Sequence, residues 1–355
     1  MRDVEALIVG GGQAGLSAAY FLARRGFVPH EEFVLLDAND AAGGAWRHRW
    51  RSLTMDAVHG VHALPGMELE PAAGDAPARE VVAGYFDRYE RHFELPIERP
   101  VQVHRVENER GHERLLVHTD AGSWRTRVLL NATGTWTRPF LPVYPGLAEF
   151  RGRQLHTVDY RSADELAGQR VVVVGGGHSA VQLLAEIAEV ATTTWVTRRP
   201  PRWREGPFDA DAGRDAVAMV ERAVAAGRRP DSVVSVTGLA LTPPVQAARE
   251  RGVLHRLPMF DRLTADGVAW DDLDGTPGSV AADVILWATG FRHALDHLAS
   301  LGLRDASGGI RMDGTRVSAD PRIHLLGYGP SASTIGANRA ARRAVRELRH
   351  TLQRA

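Results

Sequence analysis

Two glycine-rich turns, far apart in the chain, each follow an apolar run and each open a helix-like segment. The first is Gly10-Gly11-Gly12-Gln13-Ala14-Gly15, directly after Ala6-Leu7-Ile8-Val9. The second is Gly175-Gly176-Gly177-His178-Ser179-Ala180, directly after Val171-Val172-Val173-Val174. In such a turn the first glycine permits the tight bend and the second lets backbone approach a pyrophosphate. The third position allows close helix–strand packing, and Ala180 takes it in the second copy. The helix behind the turn offers free N–H groups and a positive dipole end to phosphate. One such turn says little. Two, in this context, predict a chain that holds two dinucleotides at once, and so an electron-transfer enzyme.

The surrounding pattern predicts two βαβ units. Residues 4–9 read as a buried parallel strand, 13–25 as its helix and Phe33–Asp37 as the next strand. Asp37 ends that strand, where an acid can accept from a ribose hydroxyl pair. A helix is expected over 78–93, with short strands over 101–106, 115–119 and 128–131 and a linker over 137–146. The second unit begins at Arg170, with a helix over 179–190 and a strand over 193–197. That strand runs into Arg198-Arg199 with no acid at the ribose position, and a planar guanidinium there suits the 2′-phosphate of NADP. A strand over 283–287 leads to Ala288-Thr289-Gly290, an echo of Ala132-Thr133-Gly134. A strand over 323–326 and a basic helix over 334–352 close the chain. The fold class is therefore α/β, with two Rossmann-like domains. One is built from both ends of the chain (1–161 and 291–355) and the other is inserted into it (162–290). The weakly patterned stretch 205–260 is expected to supply helices. Trp203, Phe208 and Phe260 are candidates for an active-site mouth or for the core.

Composition narrows the function. The chain of 355 residues can bury a sizeable core. Its 43 basic and 43 acidic residues give no reason to invoke nucleic acid or an acidic membrane. It has no cysteine, which removes disulfides, thiolate catalysis and Cys-ligated metals together. No apolar run approaches the roughly 20 residues that span a bilayer, and the first residues lack a signal-peptide pattern. A cytoplasmic enzyme without a metal site is expected.

Between the turns lies Phe150-Arg151-Gly152-Arg153-Gln154-Leu155-His156-Thr157-Val158-Asp159-Tyr160-Arg161. It matches F-x-G-x-x-x-H-x-x-x-[YF]-[KR], the identifying sequence of flavin-containing monooxygenases, and stands just before the second turn as in that family. Gly43-Gly44-Ala45-Trp46, both Ala-Thr-Gly turns and Leu326-Gly327-Tyr328-Gly329 add to the match. The chain resembles the compact bacterial flavin-containing monooxygenases along essentially its whole length. The resemblance implies a disulfide-oxidoreductase-like flavoprotein architecture, with FAD in the first domain and NADPH in the inserted one. Flavin contacts implied are Gly10, Gly12, Gln13, Ala14, Gly15, Asp37, Ala38, Gly44, Ala45 and Trp46. Ala132, Thr133 and Gly134 would pass the pyrophosphate side, and the Val103 backbone would meet adenine. NADP contacts would fall on Gly175, Gly177, His178, Ser179, Ala180, Arg198, Arg199, Ala288, Thr289 and Gly290. His156 would place the linker near the nucleotide without donating a proton.

The implied reaction passes hydride from NADPH to the flavin, forms a C4a-hydroperoxide with O2, and gives the distal oxygen to a small soft nucleophile such as a thioether or an amine, with strained ketones as a further substrate class. Many family members carry S-L-x-x-N after G-G-x-W. Here Ser52-Leu53-Thr54-Met55-Asp56 puts Asp56 in place of the asparagine that sits by the flavin. A carboxylate there repels a flavin peroxide anion unless it is protonated or turned away. Asp56 therefore marks a route to hydrogen peroxide release, and NADH use stays open. A thioredoxin-reductase-type enzyme shares the two-turn plan but requires a cysteine pair. An NAD(P)H-flavin reductase or oxidase, or a flavin-binding regulator without turnover, are the other readings. A homodimer is the default expectation for such an enzyme.

Overall fold

The computed structural model describes residues 1–58, 60–109, 111, 113–204, 210–230 and 238–353. Phe208 lies outside them. Ala6–Val9 and Phe33–Leu36 are buried on both faces, the pattern of a central parallel sheet. They form the end of β1 (Arg2–Val9) and the whole of β2 (Phe33–Leu36). Around them stand β3 (Ile97–Glu98), β6 (Gly122–Asn131), β17 (Met312–Asp313), β18 (Arg316–Val317) and β19 (Ile323–Leu325), in the order β17-β18-β19-β6-β1-β2-β3. The antiparallel strands β4 (Val103–Asn108) and β5 (Leu115–Thr119) continue from β6. The sheet alternates its side chains between two cores. Ala6, Ile8, Phe33 and Leu35 pack under α1 (Gln13–Arg24), α2 (Ala78–His92) and α6 (Thr334–Gln353). Leu7, Val9, Val34 and Leu36 pack on the β4–β5 side with Val103, Val106 and Val117. Both ends of the chain thus build one domain.

The second domain has a parallel sheet of β7 (Arg153–His156), β8 (Arg170–Val174), β9 (Thr192–Thr197), β12 (Arg256–Pro258) and β16 (Val284–Trp287), ordered β12-β9-β8-β16-β7. The helices α3 (His178–Ile187) and α5 (Pro243–Glu250) cover the face that carries Val171, Val173 and Leu286. The opposite face carries Val172, Val174 and Ile285. It packs on an antiparallel sheet of β13 (Arg262–Thr264), β14 (Gly267–Leu273) and β15 (Thr276–Ala281). Phe260 is 2% exposed among Trp270, Trp287 and Tyr144 in that core, so it lines no mouth. A short pair, β10 (Trp203–Arg204) with β11 (Leu239–Ala240), sets Trp203 edge-on to Trp195.

Two boundaries differ from the sequence expectation. β7 pairs with β16, Arg153 opposite Val284, so the second sheet already begins before residue 161. Its partner lies over a hundred residues onward, which local pattern does not report. The helix α4 (Ala210–Ala225) falls within the expected insert, yet Val220 and Val224 bury in the first domain beside Leu303, Ile310 and Tyr328. Helical periodicity fixes which face is apolar, not which core receives it.

The two chain crossings between the domains run side by side. Pro139 and Phe291 form an antiparallel bridge, flanked by Phe140 N–H to the Gly290 carbonyl (2.9 Å) and Arg292 N–H to the Arg138 carbonyl (2.8 Å). Trp136 stacks on Phe291 at 5.2 Å between ring centres. Among the described residues, no helix is long and apolar enough to cross a membrane.

Candidate dinucleotide sites and their junction

The two glycine turns occupy equivalent places. Val9 pairs with Leu36 and Asn131, and Val174 pairs with Val196 and Trp287. The amides then repeat. Gly10 N–H reaches the Leu36 carbonyl (2.8 Å) and Gly175 N–H the Val196 carbonyl (3.0 Å). Ala132 N–H reaches the Val9 carbonyl and Ala288 N–H the Val174 carbonyl, both at 2.8 Å. A Cβ on Gly10 would collide with the Ala132 carbonyl, and one on Gly175 with the Ala288 carbonyl. Each turn is therefore locked to its own Ala-Thr-Gly segment, which is the physical content of the sequence echo.

Gly12 and Gly177 are the N-caps of α1 and α3, in extended backbone and without a side-chain cap. Among the described residues, no atom lies within 4 Å of where a Cβ would project from either. The heads of both helices thus have open space beside them. A phosphate fits such a cradle, because a helix N-terminus offers N–H groups without an intrahelical partner and a positive dipole end. Ala14 and Gly15 are buried behind the first turn, and Ala180 behind the second.

The remaining expected flavin residues gather at the first turn. Gly44 packs so closely that a Cβ on it would lie 2.8 Å from the Gly12 Cα, which lays the Gly43–Trp46 turn directly on the glycine turn. Ala45 is exposed there, and Trp46 packs against both domain cores. Gln13 donates its amide to Asn338 Oδ1 (2.8 Å) and the His62 carbonyl (3.2 Å), while its Oε1 is buried and partnerless. Asn338, on α6, was not singled out from sequence. Asp37 is 3% exposed. Its Oδ2 accepts from Arg99 (3.1 Å) and its Oδ1 from Asn39 (side chain 3.1 Å, backbone 3.4 Å). Of roughly four acceptor positions on a carboxylate, one is left for a ribose hydroxyl. Arg99 is shared with Glu90 at 2.6 Å, and burial pushes the Glu90 carboxyl up against that pairing. Neither was expected, since they lie over fifty residues from Asp37. Ala38 follows in the open, and Val103 is buried close by, where Val101 N–H reaches the Asp37 carbonyl at 2.8 Å.

At the second turn the register puts Thr197 where the first has Asp37, since each follows the residue paired with the strand before the turn. Gly176 faces Thr197 as Gly11 faces Asp37. Thr197 Oγ1 donates to the Arg199 carbonyl (2.7 Å) and accepts from Arg256 Nε (2.9 Å), so a third arginine joins the exposed Arg198 and Arg199. Pairing of β12 on β9 brings it there, and single-sequence spacing carries no sign of it. His178 Nε2 accepts from Ala240 N–H at 3.3 Å, and Ser179 follows in the first helical turn.

His156 sits under Gly290. Its Nδ1 accepts from Val158 N–H (3.3 Å), which leaves Nε2–H to donate to the Gly290 carbonyl (3.0 Å). Burial holds its pKa below the usual histidine value. Both nitrogens are engaged, the arrangement of a placing residue. The threonines of the two echoes tie each turn to a linker: Thr133 donates to the Ala294 carbonyl (2.6 Å) and Thr289 to the Phe140 carbonyl.

Asp56 is the expected site residue that is not gathered in. Its segment pairs with the approach to α2, with Met55 N–H to Ala76 and Asp56 N–H to Gly74. That pairing turns Met55 inward between the two cores and Asp56 outward, its carboxylate over Gly74. The same loop fastens the domains together. Ser52 Oγ (2.7 Å) and the buried Tyr160 hydroxyl (2.8 Å) both donate to Glu186 Oε1 on α3, and Gln182 donates to the Ala57 carbonyl (2.7 Å). Tyr160→Phe is expected to destabilise the protein by about 1 kcal/mol, read as a lower denaturant midpoint. No change would mean that Glu186 does not hold this junction.

Comparison with known proteins agrees with this geometry. The sequence profile described as pyridine nucleotide-disulphide oxidoreductase matches residues 7–212, more than half of the chain. The solved flavin-containing monooxygenase from Stenotrophomonas maltophilia is 37% identical, covering 99% of this chain and 100% of that one with a TM-score of 0.84. An uncharacterized oxidoreductase, CzcO, of Bacillus velezensis is 25% identical over 91% of each chain. Baeyer-Villiger monooxygenase 4 of a Dietzia species is 32% identical over 56% of this chain and 35% of its own. With two dinucleotide cradles, the motif between them and no cysteine for disulfide chemistry, the chain belongs to the pyridine nucleotide-disulphide oxidoreductase family of flavoproteins, and within it to the flavin-containing monooxygenases.

Proposed function

We propose that this enzyme uses NADPH in preference to NADH, and O2, to oxygenate small soft nucleophiles such as thioethers and amines, with ketones as a further class. The observation that supports NADPH is Thr197 at the acid position, surrounded by Arg198, Arg199 and Arg256. A 2′-phosphate gains charge-assisted hydrogen bonds from guanidinium groups and would be repelled by a carboxylate. When bound, the flavin and the nicotinamide supply the hydride and oxygen chemistry.

The protein's part is orientation and exclusion of water. Gly12 and Gly177 leave room for the two pyrophosphates, and Asp37 holds a ribose. The His156–Gly290 bond fixes the linker beside the second turn, and the Glu186 hub keeps the Trp46–Ala57 loop against α3. Asp56, turned toward Gly74, leaves the junction free of its charge, which favours oxygen transfer over peroxide release. Balanced net charge favours small molecules over nucleic acid or membrane as partners. A cytoplasmic homodimer remains part of this reading.

The test is turnover under 18O2 with a panel of sulfides, amines and ketones, and with peroxide measured alongside. Label is expected in at least one product. NADPH oxidation that yields peroxide alone would overturn the oxygenase reading in favour of a flavin oxidase. Arg198→Ala with Arg199→Ala is expected to raise KM for NADPH at least tenfold and leave KM for NADH nearly unchanged. Equal effects on both would remove the 2′-phosphate assignment.

A further inference from the structure

Arg49 follows the G-G-x-W turn and lies at the junction of the two domains. Its guanidinium stands over the Trp136 ring at 4.6 Å and nearer the edge of the Trp46 contact range at 5.8 Å. His48 stacks on Trp136 (6.3 Å, 14° between planes), and Trp136 stacks in turn on Phe291. Arg49 is thus set in an aromatic wall made by the first-domain turn and both linkers. Among the described residues its enclosed Nε has no hydrogen-bond partner and no carboxylate pairs with it. Burial alone pulls its pKa down, to about 10.

A guanidinium removed from water without an anion is costly, and one side of an ion pair left alone is the expensive case. The contrast with Arg99 is direct: that arginine, also partly buried, has both Asp37 and Glu90. Stacking on indole offsets part of the cost, but it leaves the in-plane N–H fork unused. A planar fork with aromatic rings on its faces matches a carboxylate attached to a flat or apolar body. The dinucleotide phosphates already have receivers, in the N-termini of α1 and α3 and in Arg198, Arg199 and Arg256. Arg49 belongs to neither turn.

We propose that Arg49, with Trp46 and Trp136, is the receiving site for the carboxylate of an organic-acid substrate that carries an aromatic or similarly flat apolar group. This rests on the monooxygenase reading for the word substrate, while the binding site itself stands without it. The test is calorimetric titration of the flavin-loaded enzyme with 3-phenylpropionate and with its uncharged isostere 3-phenylpropanamide. The acid is expected to bind at least tenfold more tightly. Arg49→Gln should erase that difference while flavin content and Kd for NADPH stay as in the parent and the melting temperature does not fall. Arg49→Lys, which keeps charge but loses the fork, should restore only part of it. No preference for the acid in the parent, or a preference that survives Arg49→Gln, overturns the proposal. A tenfold loss of NADPH or flavin affinity in Arg49→Gln, with no change toward the acid, also overturns it by assigning the residue to a cofactor phosphate. Label incorporation under 18O2 is scored separately, so failure of the oxygenase reading and failure of this site are distinguishable.

Discussion

Replacing Gly12 with alanine is expected to empty the flavin site while leaving the fold standing, whereas Gly15→Ala should damage the fold itself. Gly12 has extended backbone and open space in front of it, so a methyl group meets no atom of the described residues. The loss in stability should be about 1 kcal/mol or less, the difference between glycine and alanine as an N-cap. The methyl instead fills the cradle that a pyrophosphate needs. Flavin affinity should fall at least a hundredfold, equivalent to about 3 kcal/mol. Gly15 has no such room, because a Cβ there would run into the Gly10 carbonyl oxygen. Overpacking of this kind costs about 1–3 kcal/mol or more, and it strains the hinge of the turn. Purified Gly12→Ala should be colourless with a near-normal melting temperature for the apoprotein; Gly15→Ala should be colourless and melt lower. Gly177→Ala offers the matched control: it should stay yellow, keep its stability, and lose NAD(P)H binding. A yellow Gly12→Ala protein with parental affinity would remove the first turn from the flavin site.

What the sequence made legible was local. Strand, glycine turn, helix and the following strand follow one another within about thirty residues, and burial of Ala6–Val9 or Val171–Val174 on both faces needs only an apolar run. The Ala-Thr-Gly echo was visible as well, though its reason, a glycine pressed onto a carbonyl, needed the register of β1 on β6 and β8 on β16. What stayed hidden depends on residues brought together over long separations. Ser52 and Glu186 are 134 positions apart, and Arg256 reaches Thr197 only because β12 lies beside β9. α4 reads as a helix of the insert, but its apolar face finds the first domain's core. Arg49 gave no signal at all in a run of arginines, Arg47, Arg49 and Arg51. Its distinction from the others is the surroundings, not the residue type. Asp56 shows the opposite limit: the motif marks a position along the chain, and the pairing of its segment with Gly74 and Ala76 decides which way the side chain turns.

Acid should unfold the first domain before its carboxylates are protonated. His297 and His324 are buried and neutral, with pKa values pushed by burial to about 4 and about 3; His293, less enclosed, is also brought to about 4. In the unfolded chain each titrates near 6.5. Between pH about 6.5 and about 4 the unfolded state therefore binds more protons than the folded one, and stability must fall as pH falls through that window. Each fully buried histidine contributes at most about 1.4 kcal/mol per pH unit. From pH 6 to pH 5, His297 and His324 together should remove about 2 kcal/mol, a large share of a typical margin. The effect reaches the cofactor site, because His297 donates to Asn131 Oδ1 (2.7 Å), Asn131 donates to Thr133 (3.0 Å), and Thr133 holds the turn behind Gly10. Denaturant midpoints at pH 7, 6 and 5 should drop steadily, with flavin released in step. His324→Leu loses the Thr315 contact and so begins less stable at pH 7, but its slope with pH should be about one third to one half shallower. A midpoint that stays level from pH 7 to 5, or a His324→Leu slope equal to the parent's, would mean that these histidines are solvated and titrate normally in the folded protein.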